Sequence, residues 1–125
     1  MLISWAKKKE MRDLTKIFNL KELAEFSKNQ GALDIPEGLG AVKKDLLKTG
    51  SFNVALICLD AGQEIPPHPE PYAVCFYVIA GRGAFTVGNE QFGLASGEMI
   101  FAQANEARGI QSKERLTLLG IQDAH

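Results

Sequence analysis

His68, Glu70 and Tyr72 are the side chains of this sequence whose types and spacing best suit chemistry. They alternate with prolines in the segment that follows Gly62. Each proline fixes its own φ and drives the preceding residue toward the β region, so this segment is predicted to be extended. Side chains two positions apart then point to the same face, which places an imidazole beside a carboxylate. Such a pair can transfer a proton or bind a cation.

A series of short strands is predicted to position these side chains. The strands are expected at residues 41–47, 52–59, 73–80, 84–87, 91–94, 99–102, 108–112 and 115–122, with glycine-centred turns between many of them. One helix is predicted before them: Asn19 caps its start, Glu22 occupies the third helical position, and Gly31 ends it. Many short strands with one helix indicate a β-sandwich or a β-barrel.

Length and charge limit the classes of protein to which the chain can belong. Its 125 residues, 46% hydrophobic and 23% charged, predict one globular domain. Within it we expect a flexible tail at residues 1–12, the helix and its loop at 13–40, and the barrel at 41–125. A net charge of -1 argues against binding to nucleic acid or to a membrane surface. Cys58 and Cys75 lie in apolar runs, which favours a reducing, cytoplasmic location.

The spacing of Gly62, His68 and Gly81 resembles the first motif of the cupin family, G-x5-H-x-H-x3-E-x6-G. The stretch from Gly97 to Arg108 is in register with the second motif of that family, G-x5-P-x-G-x2-H. The resemblance covers roughly residues 41–122, and the chain is similar to the small single-domain cupins of the conserved-barrel type. It implies an all-β fold, a jelly-roll β-barrel preceded by one short N-terminal helix.

The resemblance also implies a metal site, and this sequence departs from its pattern. A metal-binding cupin has three His and one Glu at the positions of His68, Glu70, Val74 and Arg108. Val74 has no donor atom, and a protonated guanidinium would repel a cation. We therefore expect a degenerate metal site and favour no cofactor. If a divalent transition metal (Zn, Mn, Fe or Ni) does bind, its expected ligands are His68 and Glu70, with the C-terminal His125 as a candidate third.

Arg108 permits two arrangements, and the sequence leaves both open. Its guanidinium can form a bidentate pair with Glu70 and so replace the metal structurally, or it can remain free to bind the carboxylate or phosphate of a ligand. The predicted ligand-binding cavity combines the proline-rich segment with inward-facing strand residues. These residues are His68, Glu70, Tyr72, Val74, Phe76, Phe101 and Arg108.

Three hypotheses about function follow from these residues. The first is a binding module for a small anion, a carboxylate or a sugar acid. The second is an enzyme, either a metal-dependent cupin of dioxygenase or isomerase type or a metal-free acid–base catalyst, with His68, Glu70 and Tyr72 as candidate catalytic residues. The third is a structural domain with a vestigial pocket. We also expect a homodimer, with Tyr77 and Ile79 facing the helix or a second subunit.

Overall fold

Short β-strands make up most of the molecule. The structure, a computed structural model, describes residues 16–28 and 40–125. In this part of the chain the strands are β1 (Val42–Lys48), β2 (Phe52–Leu59), β3 (Glu64–His68), β4 (Val74–Ala80), β5 (Arg82–Val87), β6 (Glu90–Ala95), β7 (Met99–Ala102), β8 (Arg108–Ser112) and β9 (Leu116–Asp123). One helical turn, α1 (Leu20–Leu23), precedes them.

The strands form two antiparallel sheets that share one core. One sheet has the order β1-β2-β9-β4-β7 and the other the order β3-β8-β5-β6. Their inward side chains pack together, with Phe85, Leu116 and Leu118 fully buried. Residues 55–59 of β2 are all buried, as their unbroken apolar run predicts. This arrangement confirms the predicted jelly-roll barrel.

The helix is shorter than the sequence predicts. Asn19 caps it as expected, because its Oδ1 accepts a hydrogen bond of 3.2 Å from the Glu22 N–H. The prediction that the helix continues to Gly31 is wrong, since Ala24 already has extended backbone angles and residues 24–28 are not helical. Gly31 itself and the predicted tail at 1–12 lie outside the described residues. Within the described ranges, no helix has the length and apolar character needed to cross a membrane.

Contacts with the barrel explain why the chain leaves the helix so early. Gln63 donates from its Nε2 to the Ser27 carbonyl at 2.6 Å. The guanidinium carbon of Arg115 lies 4.2 Å from the centre of the Phe26 ring. An extended segment lets Phe26 and Ser27 reach these two partners, whereas a longer helix would turn them around its axis. Tertiary contacts therefore outweigh the local preference for a helix.

Cys58 and Cys75 lie in different environments. Cys58 is buried in β2, and this burial raises the pKa of its thiol. Cys75 lies on the outer face of β4, as strand alternation predicts, with its Sγ 3.6 Å from Met99 Sδ. Tyr77 and Met99 are register partners on that face, and Met99 is 67% exposed. A second subunit covering this face stays a prediction.

Asp60 closes the turn between β2 and β3. The Ala61 N–H donates to its carboxylate at 2.9 Å, and Arg115 Nη2 lies 3.5 Å from its other oxygen. These contacts, the backbone hydrogen bond first, hold the pKa of the Asp60 carboxyl below its usual value.

The lowered pKa of Asp60 predicts an acid-sensitive share of the folding stability. Because the folded-state pKa lies below the unfolded one, the ionised carboxylate stabilises the fold above the usual Asp pKa of about 4. This stabilisation is lost as the pH falls through the folded-state pKa. Urea unfolding of the wild type and of Asp60→Asn, from about pH 6 to pH 3, should give a difference in unfolding free energy that shrinks toward acid. A difference that is independent of pH would contradict this prediction.

Candidate functional site

A cavity of about 270 Å³ lies between the two sheets. Its apolar walls are formed by Ala41, Ile57, Ile65, Val74, Phe76 and Ile110. Its polar lining comes from His68, Glu70, Tyr72 and Arg108, together with Lys43 and Gln122. The structure therefore brings together every cavity residue predicted from the sequence except Phe101.

Phe101 lies outside, and its prediction as a cavity residue is wrong. It is the register partner of Cys75 across β7 and β4, so both side chains lie on the outer face of the sheet. Phe101 is 57% exposed there, while its neighbours Ile100 and Ala102 pack toward the core. The four residues of β7 show no alternation of polar and apolar types, so their inward face could not be deduced from the pattern.

The proline-rich segment forms β3 and places His68 next to Arg108. These two residues are register partners on β3 and β8, beyond an irregularity in the pairing between Ile65 and His68. Gly109 makes this pairing possible. A Cβ at Gly109 would lie 2.7 Å from Pro67 N and 2.9 Å from Ile65 O, closer than such atoms can approach. The two backbones can therefore meet at this distance only because position 109 has no side chain.

His68 and Glu70 form one pair at the rim of the cavity. His68 Nδ1 lies 2.9 Å from the Pro66 carbonyl, which can only accept, so Nδ1 bears a proton. Nε2 lies 3.3 Å from Glu70 Oε1. A protonated imidazole would form an ion pair with the carboxylate at this distance. The side chains are 35% and 26% exposed, so both remain accessible to solvent.

Arg108 is a buried charge in the cavity wall, with 3% of its surface exposed. Its Nε donates to the Glu106 carbonyl at 2.9 Å and its Nη2 to the Gln103 carbonyl at 2.8 Å. Its Nη1 is shielded from solvent and has no hydrogen-bond partner. Within residues 16–28 and 40–125, Arg108 forms no ion pair with a carboxylate, since Glu70 pairs with His68 instead. Of the two arrangements that the sequence left open, the Glu70–Arg108 pair is therefore wrong.

The ring of Tyr72 lies between Arg108 and His125. The guanidinium carbon of Arg108 is 5.6 Å from the centre of the Tyr72 ring, and the His125 ring stacks on it at 3.8 Å with an angle of 3° between the planes. His125 Nε2 lies 2.9 Å from Gln122 Oε1. Tyr72 thus helps to orient the guanidinium, and His125 contacts Tyr72 and Gln122 rather than joining His68 and Glu70 as a third metal ligand.

Lys43 and Gln122 line the cavity but were not identified from the sequence. Lys43 is the register partner of inward-facing Ile57, and Gln122 is the partner of Val74 on β4. The available signal is the alternation along β9, where buried Leu118 sets the inward face that Gln122 continues. Applying this alternation to β9 would have found Gln122, whereas the bulge in β1 between Asp45 and Leu47 prevents the same deduction for Lys43.

The donor atoms of the cavity do not fit the metal site that the family resemblance implies. His68 Nε2 and Glu70 Oε1 supply two donors, Val74 supplies none, and Arg108 places a positive charge in the same wall. In the part of the chain that the structure describes, no group of three or more His, Cys, Asp or Glu side chains could hold a metal ion. Catalytic metal sites use about three protein ligands.

Comparison with known proteins agrees with this architecture. Residues 55–121 match the family model described as a cupin domain. The uncharacterized protein SCO3923 of Streptomyces coelicolor is 32% identical over 93 residues, which cover 74% of this chain and 79% of that protein.

Several solved structures share the fold at lower sequence identity. TT1209 from Thermus thermophilus has a TM-score of 0.76 at 22% identity, over 88% of this chain and 98% of its own. An RmlC-like cupin from Desulfovibrio desulfuricans has a TM-score of 0.72 at 20% identity, over 88% and 96%. KdgF from Halomonas sp. has a TM-score of 0.70 at 17% identity, over 89% and 96%. These likenesses concern the fold, and the family match covers most of the barrel. The chain therefore belongs to the family of cupin domains.

Proposed function

We propose that this protein binds a small organic anion, a carboxylic acid or a sugar acid, in the cavity between its two sheets. The observation that supports this proposal is the state of Arg108, whose guanidinium is buried, has no carboxylate partner among the described residues and leaves Nη1 without a hydrogen bond. A buried charge without a counter-charge costs free energy. A ligand carboxylate in the cavity would supply the missing counter-charge.

A purely structural role for Arg108 explains less of the geometry. The guanidinium has five N–H donors. Its Nε donates to the Glu106 carbonyl and its Nη2 to the Gln103 carbonyl, which leaves the other N–H groups unused. An apolar side chain of similar length would fill the same space without burying a charge, and such exchanges are often neutral or stabilising. Binding of a ligand anion by the guanidinium accounts more fully for an arginine in the cavity wall.

The other walls of the cavity suit a small ligand with an apolar part. Ile57, Val74 and Phe76 offer aliphatic and aromatic surface, while Lys43 and Gln122 add polar groups on the same sheet. The volume of about 270 Å³ is just below the ~300–1,000 Å³ that is usual for sites of drug-sized molecules. A ligand of the size of a small metabolite therefore fits the space.

Matched pairs of acids and amides test the proposal. Short aliphatic, hydroxy, oxo and sugar acids, each with its primary amide, can be compared by ligand-detected NMR and calorimetry. Because hydrogen bonds to charged groups contribute about 1.5–3 kcal/mol, the acid that fits should bind roughly 10- to 100-fold more tightly than its amide. Equal affinity of acid and amide across the pairs, or no saturable binding of any acid, would contradict anion binding.

A metal-dependent enzyme of dioxygenase or isomerase type is the second candidate. Its support is the approach of His68 Nε2 to Glu70 Oε1 at 3.3 Å, since one cation could bind both atoms. Metal analysis of protein purified without chelators separates the two candidates. One equivalent of Zn, Mn, Fe or Ni that is lost in Glu70→Gln would favour the metal enzyme.

A further inference from the structure

An uncharged apolar patch covers one side of the barrel. Five of the seven large hydrophobic side chains that are exposed in the described part of the chain lie on the outer face of the five-stranded sheet. They extend over the neighbouring strands β2, β9, β4 and β7 and form the outer patch: Phe52, Tyr77, Met99, Phe101 and Ile121. We propose that two copies of this chain form a symmetric dimer through the outer patch.

Strand pairing makes the patch continuous. Cys75 is the register partner of both Ile121 and Phe101, and in the next row Tyr77 is the partner of Met99. Register partners and residues two apart on a strand share one face, so these side chains are direct neighbours on a single surface. The patch lies on the opposite side of the sheet from the cavity, and the dimer therefore does not depend on the proposed anion binding.

The segment before the barrel accompanies only the neighbouring part of this face. Phe18 and Leu20 line an apolar groove together with Leu47, Val54 and Leu119 of β1, β2 and β9. The members of the outer patch, in contrast, are 38–67% exposed. This half of the face therefore has the apolar surface of a buried layer without a second layer from the described residues.

The size of the patch suits a dimer interface. For large side chains of about 150–250 Å² each, the exposed fractions correspond to roughly 500 Å² of apolar surface. An interface of standard size buries about 800 Å² on each partner, and roughly 65% of a homodimer interface is apolar. The outer patch thus supplies about the apolar area that one subunit of a homodimer contributes.

The lack of charge in the patch favours a second copy as the partner. In a two-fold interface the residues near the axis meet their own copies, so a charged side chain there would face a like charge. The outer patch and the adjacent Cys75 and Leu119 include no Asp, Glu, Lys or Arg. An anionic membrane, a nucleic acid or a charged peptide would need complementary charges at this place.

The shape of the patch also fits a second copy. It is four strands wide, and neighbouring strands lie about 4.8 Å apart, so it forms a broad sheet surface rather than a narrow groove. Sheets pack face to face when both surfaces are apolar and their strands are nearly aligned. The five-stranded sheet of another copy has this surface.

Sedimentation velocity of the wild type and of Met99→Glu tests the interface. At about 50 μM, above the micromolar dissociation constants of weak interfaces of this size, the wild type should sediment as a dimer. Met99→Glu would bring two carboxylates into the apolar interface, so the dissociation constant of the dimer should rise at least about 100-fold. Met99 is exposed in the single subunit, so the variant should keep the circular dichroism spectrum of the fold. Gln91→Glu adds the same charge at an exposed position of β6 in the other sheet and should dimerise normally.

The two cysteines provide a second measurement that needs no substitution. Cys75 is half-buried beside the outer patch, and Cys58 is buried within β2. In the dimer, both thiols should be protected from N-ethylmaleimide. Dilution of the wild type below the dissociation constant should increase the rate of Cys75 alkylation about 10-fold or more, because mass action releases the monomer. Cys58 should stay protected at every concentration.

Three results would overturn the proposal. The first is a wild type that remains monomeric at 50 μM, whether Cys75 reacts or is protected by another segment of the same chain. The second is a folded Met99→Glu that dimerises as well as Gln91→Glu, since the interface would then lie elsewhere. The third is a wild-type dimer in which Cys75 reacts as fast as it does after dilution to the monomer.

Discussion

Replacing Arg108 by methionine should abolish anion binding without destabilising the protein. The ligand carboxylate would lose its charged N–H donors, and the loss of one partner from a buried charged pair costs about 2–5 kcal/mol. The affinity for the acid that fits the cavity should therefore fall at least about 30-fold. In the absence of ligand, the free energy of unfolding should stay the same or rise, because the variant no longer buries an unpaired charge.

The exposed Arg82 provides the matched control for this substitution. Its side chain is 68% exposed and lies 3.3 Å from Glu114, away from the cavity lining. Arg82→Met also removes a guanidinium. It should leave the affinity for the acid unchanged and alter the free energy of unfolding by no more than about 0.5 kcal/mol. Calorimetry with the acid and urea unfolding without it measure both quantities. Normal binding by Arg108→Met, or a large loss of its stability without ligand, would show that Arg108 is structural.

The barrel could be predicted because its strands and turns are encoded locally. Apolar runs separated by glycine turns predicted most of the strands of the final fold within one or two residues. The prediction of a longer helix after Asn19 was wrong for the opposite reason. Phe26 and Ser27 contact Arg115 and Gln63, which are distant in the sequence. The prediction that Phe101 faces the cavity was wrong because β7 has only four residues and no alternation of polar and apolar types. The orientation of Phe101 is set instead by the pairing of β7 with β4.

In the candidate site too, contacts between residues close in the sequence could be predicted, and contacts between distant residues could not. The spacing of His68 and Glu70 predicted that they lie side by side, and their side chains approach to 3.3 Å although β3 ends at His68. The partners of Arg108 could not be predicted, since its guanidinium returns to the carbonyls of the preceding loop. That loop depends on Asn105, which has a φ of 69° and donates its N–H to the Glu70 carbonyl. Such a loop conformation is set by tertiary contacts, and the sequence pattern does not contain it.

Substitution of Gly109 by alanine should both destabilise the barrel and weaken anion binding. The new Cβ would lie 2.7 Å from Pro67 N, 2.8 Å from Pro67 Cα and 2.9 Å from Ile65 O. All three are backbone atoms, which cannot rotate away as a side chain can, so β3 must move away from β8. Overpacking of this kind costs about 1–3 kcal/mol of unfolding free energy. The same movement would separate His68 from Arg108 and lower the affinity for the acid.

Gly93 on β6 is the control, because a Cβ there would meet nothing within 4 Å. Gly93→Ala should leave affinity unchanged and stability the same or slightly higher, since alanine restricts the unfolded chain. Urea unfolding and calorimetry of the two variants measure the difference. If Gly109→Ala matches Gly93→Ala in both quantities, the close approach of β3 to β8 is not needed for the fold or for the site. If its binding falls while the control binds normally, the spacing of these two strands sets the position of His68 relative to the bound anion.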